Sequence, residues 1–144
     1  MQSNKGFTLI ELAIGLAVIT VLILAISASS GIRDNARVQS AAQSVQSLRS
    51  AAESYLAGGK LNYSGMDIAT LKTNNLLPAG FSGSGTNPWG GNYSIAVNGS
   101  DATRFDIALG SLAQTDAAKL TSYFNNTANN SNYDSSSKTW TVTF

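Results

Sequence analysis

The sequence predicts an α+β fold, with a long N-terminal α-helix packed on a small antiparallel β-sheet head. Three observations predict it. Residues 12–32 carry no charged side chain. Apolar residues then recur at steps of three and four as far as Gly58-Gly59, with no proline in between. Beyond residue 92, short segments alternate apolar and polar residues between turn signals. At 144 residues there is room for one globular domain. Charged residues make up 12% of the chain, about half the usual share, and hydrophobic residues 43%. With no cysteine and no histidine, the chain cannot form a disulfide framework, a thiolate or imidazole metal site, or a nucleophile activated by histidine. A formal net charge of +1 gives no electrostatic footprint for nucleic acid, and no specific nucleic-acid partner is expected. An enzyme is the weakest reading of these residues, and no cofactor or metal is expected.

The first half of the helix is set by the apolar run. A helix rises about 1.5 Å per residue, so roughly 20 apolar residues cross a bilayer core of about 30 Å. Leu, Ile, Val and Ala occur on every side of the run. Such a helix belongs in lipid or in the middle of a larger assembly, and Leu12, Leu16, Ile19, Leu22, Ile23 and Ile26 are its candidate buried positions. The run is longer than the apolar part of a secretory signal. Cleavage at Ala25-Ile26-Ser27 or Ala28-Ser29-Ser30, or a simple signal anchor, are the alternatives. Lys5 before the run and Arg33 and Arg37 after it do not fix an orientation by charge counting.

The second half is amphipathic. Val38, Ala41, Val45, Leu48, Ala52 and Tyr55 form one stripe, widened by Leu56, while Gln39, Ser40, Gln43, Gln46, Ser47, Ser50 and Ser54 fill the other face. Val38, Val45, Leu48, Ala52 and Tyr55 are therefore expected to pack against the head. Arg49 and Glu53 stand at i,i+4. The whole is expected to be one helix of roughly 50 residues, about 75 Å long, with two helices joined near residues 29–31 as the alternative.

Residues 60–144 should form the head. Residues 66–72 read as a short helix closed by Pro78, and residues 79–91 as a glycine-rich loop. Residues 93–97 read as a strand followed by an Asn98-Gly99 turn, and residues 104–109 as a second strand. Residues 113–124 read as a helix with Ala117, Leu120 and Phe124 on its apolar face. Residues 125–137 read as a polar loop, and Trp140, Val142 and Phe144 alternate with threonines in a terminal strand. The expected head therefore has three strands and two short helices.

Glu11 stands at the start of the apolar run. A carboxylate at mid-bilayer costs roughly 2.5–3.5 kcal/mol on insertion scales, and less near the interface. It either snorkels to the headgroups or awaits a cationic partner, such as an α-amino group created at Phe7 by proteolysis. Lys5-Gly6-Phe7-Thr8-Leu9-Ile10-Glu11, followed by the long apolar run, resembles the prepilin signal of type IV pilins and pseudopilins. The resemblance implies a pilin fold with a leader at residues 1–6. It implies cleavage between Gly6 and Phe7 by a prepilin peptidase, methylation of the new Phe7 amine, and use of Glu11 in subunit registration. The implied organisation continues with a transmembrane and filament-core helix at 7–32, its amphipathic continuation at 33–59 and a head at 60–144. Leu76-Leu77-Pro78, Asn87-Pro88-Trp89-Gly90-Gly91 and Phe105-Asp106-Ile107 loosely resemble the type IVb branch. The chain departs from that branch in its lack of cysteine, its short leader and its Phe start.

By this resemblance the chain is a structural subunit polymerising with copies of itself into a surface filament for adhesion, motility, conjugation or DNA uptake. It would reside in the inner membrane before assembly, meet an inner-membrane assembly platform, and end outside the cell. A pseudopilin of a type II secretion system and a minor or tip pilin are the alternatives. The NPWGG stretch is either part of this branch's pattern or a tight turn with its Trp wedged against the core.

Overall fold

The computed structural model describes residues 9–78, 81 and 86–144, the side chains of residues 25–30 excepted. Its elements in chain order are α1 (Leu9–Ala57), α2 (Ile68–Thr73), β1 (Tyr93–Val97), β2 (Phe105–Leu109), α3 (Gln114–Phe124), β3 (Asn130–Asp134) and β4 (Thr139–Thr143). The chain divides into two compact units, the first ending at Ala36 and the second spanning Arg37–Phe144. α1 is a single helix of 49 residues, so the two-helix alternative does not occur. It stops at the glycine pair. Gly58 N–H still donates to the Ser54 carbonyl at 3.1 Å, and Gly59 then turns to φ +90°, a region that favours glycine.

In the second unit the strands form one antiparallel sheet in the order β1-β2-β4-β3. Phe105, Ile107 and Leu109 of β2 point inward and are fully or nearly fully buried, as the period-two pattern requires. Ile107 stands between Ile95 of β1 and Val142 of β4, and Leu109 between Tyr93 and Trp140. The α1 stripe closes this core. Val38, Val45, Leu48, Ala52 and Tyr55 are buried together with Ala41, Ala42 and Ala51, in one cluster with the inward strand residues and with Ala117, Leu120 and Phe124 of α3. The small alanines lie among the larger stripe residues, where a bulkier side chain would be overpacked.

Two expectations are corrected. The sheet has four strands, because the segment read as a polar loop at 125–137 contains β3. Asn, Ser and Asp are poor strand formers, so the run Asn130–Asp134 carries little intrinsic signal. Tertiary pairing overrides that preference. All five residues pair with β4, and the Tyr133 hydroxyl donates to the Leu112 carbonyl at 2.8 Å. The helix read at 66–72 begins instead at Ile68. Asp67 is its N-cap, accepting the Thr70 amide at 2.6 Å, while Met66 turns into the core. These hydrogen bonds to Thr70 hold the Asp67 carboxyl below the ordinary carboxylate range.

Tight polar contacts replace covalent staples in the cysteine-free head. Thr121 Oγ1 on α3 accepts the Trp140 Nε1–H of β4 at 2.9 Å and the Ser131 hydroxyl of β3 at 3.3 Å. Phe124 lies 5.9 Å from both Trp140 and Phe144, and Phe144 is 5.6 Å from Phe105. The Arg49 guanidinium sits 4.7 Å from the centre of the Phe144 ring and binds Glu53 at 2.8 Å.

Candidate assembly surface

In the first unit, α1 presents apolar side chains on every side. Leu12, Leu16, Ile19, Leu22 and Ile23 are exposed, as are Ile14, Val18, Val21 and Leu24 among them. Soluble monomers rarely show contiguous apolar patches of more than a few hundred Å², and larger ones mark interaction or membrane surfaces. The one hydroxyl within residues 9–24 does not break the belt, because Thr20 Oγ1 donates back to the Leu16 carbonyl at 2.8 Å. Gly15 leaves open space where a side chain would stand. Glu11 is exposed near the start of the described part of α1. Gly6, Phe7 and the Ile26 side chain lie outside the described residues.

Among the described residues no helix is long and apolar enough to cross a membrane. The fully described part of the apolar segment, residues 9–24, is shorter than the roughly 20 residues a bilayer core requires. No group of acidic residues that could hold a metal occurs among the described residues either.

The structure divides the singled-out residues between two settings. The early positions, Glu11 to Ile23, stand on an exposed helical belt, whereas Val38, Val45, Leu48, Ala52 and Tyr55 are interior residues of the head. The belt was visible in the sequence as an uninterrupted apolar run. Ala42 and Ala51, which widen the buried stripe, were not singled out, because each falls one position beside the three-and-four seam.

The NPWGG stretch is a turn lock. Buried Asn87 accepts the Trp89 amide at 3.0 Å and the Gly91 amide at 2.8 Å on Oδ1, and donates from Nδ2 to the Gly110 carbonyl at 2.7 Å. Gly91 is required here, since a Cβ would collide with the Gly110 carbonyl. Trp89 Nε1–H donates at 2.9 Å to Asp116 Oδ2 in the first turn of α3. The turn thereby fastens the approach to β1 onto α3.

A long helix packed through its later turns on a small antiparallel sheet, with its earlier turns clothed in exposed apolar side chains, defines a pilin-like α+β subunit. The prokaryotic N-terminal methylation motif matches residues 1–27, and the bundlin family model matches residues 27–123, through α2, β1, β2 and most of α3. The chain belongs to the bundlin family of type IV pilins, a family of structural subunits. No curated protein matches it.

Proposed function

We propose that this pilin is the repeating subunit of a type IV pilus-like surface filament, assembled through the first part of α1. The observation that carries the reading is the exposed apolar belt of residues 9–24. In a bilayer, lipid solvates such a helix as well as another helix does. Outside the cell the belt must be buried against sister helices. Its eleven large apolar side chains are each more than half exposed. At 1.5–3 kcal/mol for each fully buried side chain, their burial supplies roughly 10–20 kcal/mol per subunit. Leu12, Leu16, Ile19, Leu22, Ile23 and Ile26 form the packed core of the filament.

The precursor waits in the inner membrane. A prepilin peptidase removes residues 1–6 by cutting between Gly6 and Phe7, and the new Phe7 amine is methylated. The assembly platform then extrudes the subunit. Glu11 pairs with the Phe7 amine of a neighbour and sets the axial register, because a mismatched subunit would bury an unpaired carboxylate at a cost of several kcal/mol. The methylation motif over residues 1–27 supports this processing.

Mass spectrometry of purified surface fibres tests the reading. The mature chain should begin at Phe7 and carry one added methyl group there. A retained Lys5, or a cut near Ser29, rejects it. Gly6→Val should leave unprocessed precursor in the membrane. Glu11→Ala should be inserted and cleaved but should assemble poorly, and wild-type fibre yield from that variant removes the registration role.

A further inference from the structure

The turn joining β1 to β2 places Asn98 directly before Gly99, which is exposed and has open space where a side chain would stand. An Asn-Gly pair is prone to spontaneous imide formation, because glycine puts no side chain in the way of its own nitrogen. Gly99 N bonds to Asn98 Cγ, the Cγ–Nδ2 bond breaks, and ammonia leaves with the Gly99 proton. Water then opens the ring to aspartate or isoaspartate. The open surroundings of Gly99 give water free access, so restraint has to come from how Asn98 is held.

Asn98 is held on all sides. Its Oδ1 accepts the amides of Ser100 at 3.0 Å and Asp101 at 3.1 Å. Its Nδ2 donates to both carboxylate oxygens of Asp106 at 3.0 Å each, and its backbone amide donates to the Arg104 carbonyl at 2.9 Å. Asp106 is itself fixed from the far side, where the Thr143 hydroxyl of β4 donates to Oδ1 at 2.6 Å. We propose that Asn98-Gly99 is a latent modification site, and that Asp106 is a positioning residue that keeps it silent while the head is folded.

Two physical effects act in the same direction. For attack, the side-chain amide must turn its face to Gly99 N and Cγ must become tetrahedral. That motion gives up the charge-assisted bonds to Asp106 and the two bonds at Oδ1. The product is disfavoured as well. A carboxylate at position 98 would face the Asp106 carboxylate where a donor now stands, and like charges at that distance repel. Isoaspartate would in addition lengthen the backbone at the hairpin and displace the Ala96↔Asp106 and Val97↔Phe105 pairing. The opposite expectation is that the two amides on Oδ1 stabilise an oxyanion at Cγ and accelerate the reaction.

The test follows deamidation at residue 98 by peptide mass mapping of the full chain in detergent at neutral pH, beside the same chain unfolded in urea. The folded chain should react at least about tenfold more slowly than the unfolded one. Asp106→Ala should raise the folded rate towards the unfolded rate, and Asp106→Asn should raise it less. Thr143→Val removes the bond that fixes Asp106 from the far side and leaves the bonds to Asn98 in place, so it should raise the folded rate by less than Asp106→Ala does. A folded wild-type chain that reacts as fast as the unfolded chain, or faster, overturns the proposal. So does an unchanged rate in folded Asp106→Ala. The wild-type comparison stands even if a variant fails to fold.

Discussion

Leucine-to-alanine substitution at two positions of the same helix separates assembly from folding. Leu16 is 66% exposed in the free subunit and Leu48 is 0% exposed. Full burial of a leucine is worth about 1.5–3 kcal/mol, so the two-thirds of Leu16 still open to solvent leaves about 1–2 kcal/mol to be gained when a neighbour covers it. Leu16→Ala should remove most of that gain from every subunit in a filament. A loss of this size shifts an equilibrium by a factor of about 5–30. The same change should alter the stability of the head, measured in the detergent-solubilised chain, by less than about 0.5 kcal/mol, as for an ordinary surface substitution. Leu48→Ala should instead cost the head about 2–5 kcal/mol through lost burial and the cavity left behind. The assays are the yield and detergent dissociation temperature of sheared surface fibres, and the urea midpoint of the detergent-solubilised chain followed by tryptophan fluorescence. Two results would refute the reasoning. One is a Leu16→Ala fibre as abundant and as resistant as wild type. The other is a urea midpoint lowered as much by Leu16→Ala as by Leu48→Ala.

Thr121→Val keeps the shape of the side chain but strands the buried Trp140 Nε1–H. It should cost about 1–3 kcal/mol in urea unfolding, and distinctly less when Trp140 is already phenylalanine. Gly91→Ala drives a methyl group into the Gly110 carbonyl and should destabilise the head by about 1–3 kcal/mol, with circular dichroism melting as the check. Acid and alkali titrations should probe different groups. The Asp67 carboxyl is held low by its bonds to Thr70, so its contribution is present above the ordinary value of 3.8 and is lost as the pH falls through its lower folded value. Asp67→Ala should remove that portion of the acid transition. Burial raises the Tyr93 hydroxyl, opposed by a bond to Ser44, and burial also raises Tyr63, with Glu53 adding to the rise and Arg49 opposing it. Their contribution is complete below pH 10.0 and is lost as the pH rises from there through the folded values, so Tyr93→Phe should blunt the alkaline loss of stability.

Legibility in the sequence followed how strongly each element advertises its own period. The stripe from Val38 to Tyr55 could be read directly, because apolar residues, Ala41 and Ala52 included, recur every three or four positions and every one of them is buried. β2 was equally plain, its Phe105, Ile107 and Leu109 alternating with Asp106 and Ala108. β3 was hidden, because Asn130, Ser131, Asn132 and Asp134 favour turns and the strand exists only through its partner β4. Tyr133, cross-strand from Trp140, was the signal available. The start of α2 was misread because Met66 belongs to the core and Asp67 to the cap, and apolar character alone does not distinguish a cap region from a first turn. The apolar belt was legible, whereas the hydrogen bonds that satisfy Thr20 on the belt and Asn87 in the head were not, since they depend on backbone geometry.

The order of the strands across the sheet differs from their order along the chain. Of the four described strands β4 comes latest along the chain, yet it lies between β2 and β3. Until it arrives, β2 has one open flank and β3 has no strand to pair with, so the sheet cannot close piece by piece behind the emerging polypeptide. Synthesis must deliver Trp140 and Val142 before the layer can close. Trp140 and Val142 lie between β2 and β3 and are fully buried, so loss of β4 would leave the inward faces of β2 and of the Val38–Tyr55 segment without the strand that completes their core.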